Sequence, residues 1–419
     1  MIERNSLENG LRVMGQRNEK GFATSTVVMV KTGSRNETPD IHGISHFLEH
    51  MNFKGTKRRP NPSDIAREVD SMGARTNAFT GIEYTGFYIQ ADKNHFEAGL
   101  DILSDMVFNS LIDEKELEKE KGTIIEEINM YEDTPMYLVP ELFEALLFEN
   151  GQMAQNILGE KEVIKKIDFR AMRRYRDKHY KAGNVIVSCA GNLPVDYVNK
   201  VEKYFGTVSA GKEDYLGKTE NKLHHKNIIL KKKDTEQAHL CMGVPAFGIK
   251  DERKYTADLL SVILGGNMSS RLWMEIREKR GLAYYVRSSV DACFDEGVFA
   301  VKAGLNVKKT EEAIRIVKEE MERAKKDITE EELKRAKDYT VGMMALSEEN
   351  SINVAENNAV DDLLESKSLP LEERMKRYEK VTLKEVQKVA EDIFKPGELK
   401  LGIIGPYETP DKFAKILES

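Results

Sequence analysis

The sequence lacks the usual signs of disulfide bonding, membrane passage and nucleic-acid binding. Its 419 residues include three cysteines, Cys189, Cys241 and Cys293. They are odd in number and far apart, which excludes a disulfide framework and shows no metal-ligand spacing. A reducing compartment is therefore expected, with the cytoplasm as the default. No run of about 18 apolar residues occurs, so no membrane span is expected. The opening Met1-Ile2-Glu3-Arg4-Asn5-Ser6 has no apolar stretch of the kind a signal peptide needs, so no leader is expected. Positive charge is not in excess either: the formal net charge is −7, whereas a nucleic-acid partner calls for a basic face. What is present is an ordinary globular composition, with 40% apolar and 32% charged residues. The length exceeds one typical core and fits two domains of about 200 residues each.

The two halves read as copies of one unit. Tyr180-Lys-Ala-Gly183 through Gly191 recurs as Phe394-Lys-Pro-Gly397 through Gly405, the two aromatics lying 214 residues apart. Ile112-Asp-Glu-Lys-Glu-Leu117 recurs as Ile328-Thr-Glu-Glu-Glu-Leu333 at a separation of 216. In the first pair a helix ends at a glycine turn and an apolar strand follows; in the second an acidic segment opens a helix. Strands are expected at 25–31, 86–91 and 185–190, then at 227–230, 239–244, 286–292 and 399–404, with helices longer and more numerous between them. There is no strict βαβ alternation. The expected fold is therefore α+β, two duplicated domains that each pack helices on a largely antiparallel sheet. The boundaries fall at 1–210 and 226–419, with a polar linker at 211–225.

The chemistry concentrates at His46-Phe47-Leu48-Glu49-His50. Residues four apart on a helix stack on one face, so both imidazoles can reach one ion, and Glu49 projects from that face too. Such a pair gives a zinc ion two nitrogen ligands and leaves a carboxylate for proton transfer, in the inverted order of the better-known zinc-protease helix. The same spacing also occurs on solvated helices. The apolar flanks Ile44, Phe47, Leu48 and Met51 argue for burial, where unpaired histidines would be costly. A catalytic ion needs a further ligand, and the acidic helix after residue 117 offers Glu120 and Glu127, two turns apart on one face. Moved by 216 residues these positions become Ala336 and Met343, and the second half has no His-x-x-Glu-His. All the candidate ligands sit in one copy.

The segment Ile41-His-Gly-Ile-Ser-His46-Phe-Leu-Glu49-His50-Met-Asn-Phe-Lys-Gly-Thr56 closely resembles the zinc helix of the pitrilysin/insulinase metallopeptidases. By length it is most similar to the branch containing mitochondrial processing peptidase and its short prokaryotic relatives. The resemblance extends over nearly the whole chain. It implies a zinc metalloendopeptidase holding one Zn2+ per chain with His46, His50 and Glu127, with Glu49 as general base and Glu120 in support. Arg75-Thr-Asn77-Ala78-Phe79-Thr80 resembles the family's substrate-pairing edge strand. Gly265-Gly-Asn-Met-Ser-Ser-Arg271-Leu and Arg277-Glu-Lys-Arg-Gly-Leu-Ala-Tyr284 resemble its glycine loop and the arginine/tyrosine pair that holds the substrate carbonyl. The implied substrates are peptides or unfolded polypeptide segments, and the implied assembly is a homodimer. The alternative is a non-catalytic peptide-binding or processing-partner relative of the same fold.

Overall fold

The computed structural model describes residues 2–418 apart from 150, 213, 215–221, 224 and 225. By packing, the chain forms two units. The first comprises Met1–Ile128, Gln155–Gly217 and Ala345–Leu371, and the second Asn129–Ala154, Lys218–Met344 and Glu372–Ser419.

The first unit is built on strands β1 (Ile2–Ser6), β2 (Arg12–Arg17), β3 (Ala23–Val30), β4 (Arg75–Thr80), β5 (Thr85–Asp92) and β6 (Val185–Gly191), in the order β1-β2-β6-β3-β5-β4. Every neighbouring pair is antiparallel except β2 and β6. The central strand β3 buries Val27, Val28, Met29 and Val30 completely, so it reads as a continuous β-branched and apolar run rather than an alternation.

The second unit contains β7 (Ile228–Lys232), β8 (Gln237–Phe247), β9 (Ala283–Ala292), β10 (Glu296–Asn306) and β11 (Lys400–Gly405), in the order β9-β10-β8-β11-β7. Here too only one pair, β11 with β7, is parallel. Placed side by side, β2-β6-β3-β5-β4 and β7-β11-β8-β10-β9 have the same order and the same single parallel pair. The duplication seen in two short sequence matches is thus a duplication of sheet topology, with β1 added to the first copy.

The expected strands lie within a few residues of those observed. β1, β2 and β10 were not anticipated. β10 carries Gly297 and Gly304 and places Lys302 among apolar residues, and β2 contains Gly15, all of which blur an alternating pattern. Gly15 has a packing reason: a Cβ there would lie 2.1 Å from the Tyr197 hydroxyl.

The domain boundaries need correction. The expected linker at 211–225 lies largely outside the described residues, and the units are not contiguous halves. The helix Pro135–Leu147, encoded in the first half, packs on β11 and β8 of the second unit. There a Cβ on Gly402 would lie 3.1 Å from the Phe143 Cβ. The helix Ser351–Glu365, encoded in the second half, packs on β3, β6 and β2 of the first unit. It is pinned by Asn358 donating to Gln16 at 3.0 Å, a Ser25–Ser351 hydroxyl contact at 2.8 Å, and fully buried Asp362, which pairs with Arg4 at 2.7 Å and Arg12 at 3.2 Å. Sequence repeats mark where an element is encoded. Burial of apolar surface decides which sheet it covers.

Candidate metal centre

The helix α1 (Ile44–Met51) carries His46, Glu49 and His50. Its other face holds Ile44, Phe47, Leu48 and Met51, all at 0% exposure, each contributing about 1.5–3 kcal/mol by burial. The start of α1 is fixed by a close backbone approach. Gly43 has φ 93°, and a Cβ on it would lie 2.7 Å from the Leu158 carbonyl oxygen and 2.8 Å from the Gly159 Cα. Glu37 then caps the helix: Oε2 accepts from the Gly43 N–H at 2.6 Å and Oε1 from the Ser45 N–H at 2.8 Å. These are amides that the first helical turn leaves without partners. Burial pushes the Glu37 carboxyl up to about 7, against the pull of those two amides and the Ser45 side chain. The Ser45 hydroxyl contacts the Tyr175 hydroxyl at 2.8 Å.

The helix α2 (Glu114–Asp133) buries Leu117, Glu120, Ile124 and Ile128 at helical spacing. That stripe turns Glu127 toward α1 and leaves Glu126 exposed. His46, His50 and Glu127 each offer one ligand atom, all within 4.8 Å of one another. Glu127 Oε2 stands 3.7 Å from His46 Nε2 and 3.5 Å from His50 Nε2. Both distances are too long for hydrogen bonds. They are close to the separation of about 3.4 Å between two tetrahedral ligands with zinc–ligand bonds near 2.1 Å. Burial, reinforced by His50, lowers the His46 pKa to about 3, so the imidazole keeps its lone pair. The donor set therefore fits a zinc ion.

Glu120, 3% exposed, faces His50. Its Oε1 lies 2.9 Å from His50 Nδ1, and its Oε2 lies 2.7 Å from Lys54 Nζ. A proton on Nδ1 shared with Glu120 leaves Nε2 as the ligand atom. Burial works against the Glu120 charge, but the hydrogen bonds from His50 and Lys54 outweigh it and hold the carboxyl below the usual range.

Glu49 is 8% exposed, and the Thr80 hydroxyl donates to its Oε2 at 2.5 Å. Burial raises its pKa, Thr80 and His50 oppose that shift, and Glu127 adds to it. A carboxylate with raised basicity beside a metal position is equipped to accept a proton from water.

β4, with Asn77, Ala78 and Phe79, is an edge strand, paired with β5 on one side. Phe79 packs across Gly86, where a Cβ would meet its ring at 2.3 Å. The second unit carries Arg277 in a π-helical turn, Trp273–Glu278, and Tyr284 at the start of β9. The Arg277 guanidinium lies over the Trp273 ring at 4.1 Å and the Tyr284 ring at 5.6 Å, and Tyr284 is 73% exposed. Ala336 is buried and Met343 exposed, so the second copy of the acidic helix has no carboxylate at the positions of Glu120 and Glu127.

Sequence reasoning missed Glu37, Lys54 and the role of Thr80. Lys54 lies just past the end of α1 and meets Glu120 of α2, so no local spacing flags it. Glu37 and Thr80 reach α1 only through tertiary structure.

Residues 12–161 match the family described as insulinase, peptidase family M16. Residues 166–339 match the peptidase M16 inactive domain, in keeping with a second copy that has no such ligands. The chain belongs to the M16 peptidase family. It is 37% identical over 408 residues to an uncharacterized zinc protease, YmxG, of Bacillus subtilis, covering 97% of this chain and 98% of that one. It is 32% identical to an uncharacterized zinc protease of Streptomyces coelicolor, over 97% and 90% of the two chains. A protease from Helicobacter pylori shares the fold with a TM-score of 0.89 at 23% identity, over 97% of this chain and 99% of that one. No helix among the described residues is long and apolar enough to cross a membrane.

Proposed function

We propose that this chain is a zinc metalloendopeptidase that hydrolyses peptides or unfolded polypeptide segments. The observation that carries the reading is the convergence of one ligand atom each from His46, His50 and Glu127 within 4.8 Å, with Glu49 on the same helix. Bound there, zinc would act as a Lewis acid that makes water a nucleophile at neutral pH. Glu49 accepts the proton of the attacking water and passes it to the leaving amine. Glu120 fixes the His50 ring through Nδ1 and sets its tautomer. The extended substrate adds to the open edge of β4 along Asn77, Ala78 and Phe79, which selects flexible chains over folded ones. We assign Arg277 and Tyr284 to the carbonyl oxygen of the scissile bond; their exposure and their family resemblance support this.

The decisive experiment pairs zinc analysis with cleavage of a quenched peptide. Wild-type protein binds one zinc per chain and cleaves; Glu49→Gln binds zinc equally and loses about 10²–10⁴-fold in kcat. Zinc binding without cleavage by the wild type would favour a non-catalytic relative. A homodimer in a reducing cytoplasm is the proposed working state. A strict monomer by light scattering at micromolar concentration would refute the dimer.

A further inference from the structure

Thr80 is the last residue of β4, and its hydroxyl makes the one side-chain hydrogen bond that Glu49 receives among the described residues, to Oε2 at 2.5 Å. The hydroxyl stands on an anchored support. Thr80 sits opposite Thr85 across the β4–β5 hairpin, and the Gly81 N–H closes the turn on the Tyr84 carbonyl at 2.8 Å. The Thr85 hydroxyl donates to the Thr32 carbonyl at 2.8 Å. The turn is also held from β3's side: the Ser34 N–H donates to Gly81 O at 3.2 Å and the Arg35 N–H to Ile82 O at 2.9 Å. Arg35 pairs with Glu83, both side chains almost fully buried. A β-branched side chain at the end of such a hairpin has little rotamer freedom, so its hydroxyl is aimed in advance.

A carboxylate held by one oxygen presents the other. We propose that Thr80 is a positioning residue for the general base: its hydroxyl holds Glu49 by Oε2 and leaves Oε1 to take the proton from water. The inference rests on the metallopeptidase reading above. It also ties two tasks to one rigid piece, because the strand expected to receive the substrate ends in the residue that orients the base.

Thr80→Val keeps the shape and removes the hydroxyl; Thr80→Ser keeps the hydroxyl. Peptide cleavage, zinc content and crystal structures of the metal-free proteins are compared for both variants and the wild type. Thr80→Val should lower kcat about 10–100-fold, with KM and zinc content within about twofold of wild type. Thr80→Ser should stay within about threefold. In the crystal structures Glu49 should hold one rotamer against the hydroxyl in the wild type and Thr80→Ser, and should lose it in Thr80→Val. Wild-type kcat in Thr80→Val, equal damage in both variants, or a Glu49 rotamer indifferent to the hydroxyl would overturn the proposal. A wild type that binds zinc but cleaves nothing would sink the proposed function, while the rotamer comparison would still decide the role of Thr80.

Discussion

Replacing Glu120 by glutamine isolates what one carboxylate does for a metal it does not touch. The carboxylate is 3% exposed, accepts from His50 Nδ1 at 2.9 Å and pairs with Lys54 at 2.7 Å. Glutamine preserves the volume and one acceptor but removes the charge, so His50 becomes a weaker donor to the ion and its ring is held less firmly. Losing such an outer partner costs about 10–100-fold in metal affinity, equivalent to about 1.4–2.8 kcal/mol. Glutamine retains a neutral hydrogen bond, which places the expected loss near the lower end, about tenfold. Competition against a chromophoric chelator reads the zinc Kd directly, without recourse to catalysis. Lys54→Met is the companion variant. Its side chain is 27% exposed, so solvent partly screens the charge, and a change within about threefold is expected. A Glu120→Gln protein whose zinc Kd stays within twofold of wild type, at unchanged melting temperature, would refute the argument that Glu120 supports His50.

Two further outcomes follow from the start of α1. Gly43→Ala forces a Cβ to 2.7 Å from the Leu158 carbonyl oxygen at a φ of 93°, so thermal unfolding should show a loss of about 2 kcal/mol or more, and no loss would contradict the close approach. Burial raises the Glu37 carboxyl to about 7, so the folded state favours the protonated form. Its stabilising contribution is complete below the ordinary carboxylate range and is lost as pH rises toward 7, by up to about 3 kcal/mol. Denaturant unfolding between pH 5 and 7 should show that decline in the wild type and a shallower one in Glu37→Gln; parallel curves would remove Glu37 as the source.

The site was legible in the sequence to the extent that it is local. His46, Glu49 and His50 lie within one and a half helical turns, so the helical period alone places them on one face. Glu127 was a candidate from its two-turn spacing to Glu120 and from the loss of both carboxylates in the second copy, but its choice as the ligand required the resemblance, because nothing in local periodicity ties a residue on α2 to one on α1. Glu37 and Thr80 stayed invisible because their partners are reached across a loop and a hairpin, where only the assembled fold sets the distance. The fold shows the same divide. The repeat predicted two like sheets, and their strand orders agree. The assignment of 135–147 and 351–365 failed because an apolar helix face is satisfied by any sheet it can reach, and sequence position does not say which.

The exchanged helices change the meaning of the duplication. A fragment ending at residue 210 would make the first sheet without the helix that covers it and would leave that apolar face open to solvent. A single-length ancestor could have covered its sheet in this way only by lending its helix to a second molecule, and fusion would have made that loan permanent. The copy without metal ligands therefore cannot be discarded. It encodes the helix that covers the first sheet, a structural reason for its persistence that is separate from any chemistry it supplies.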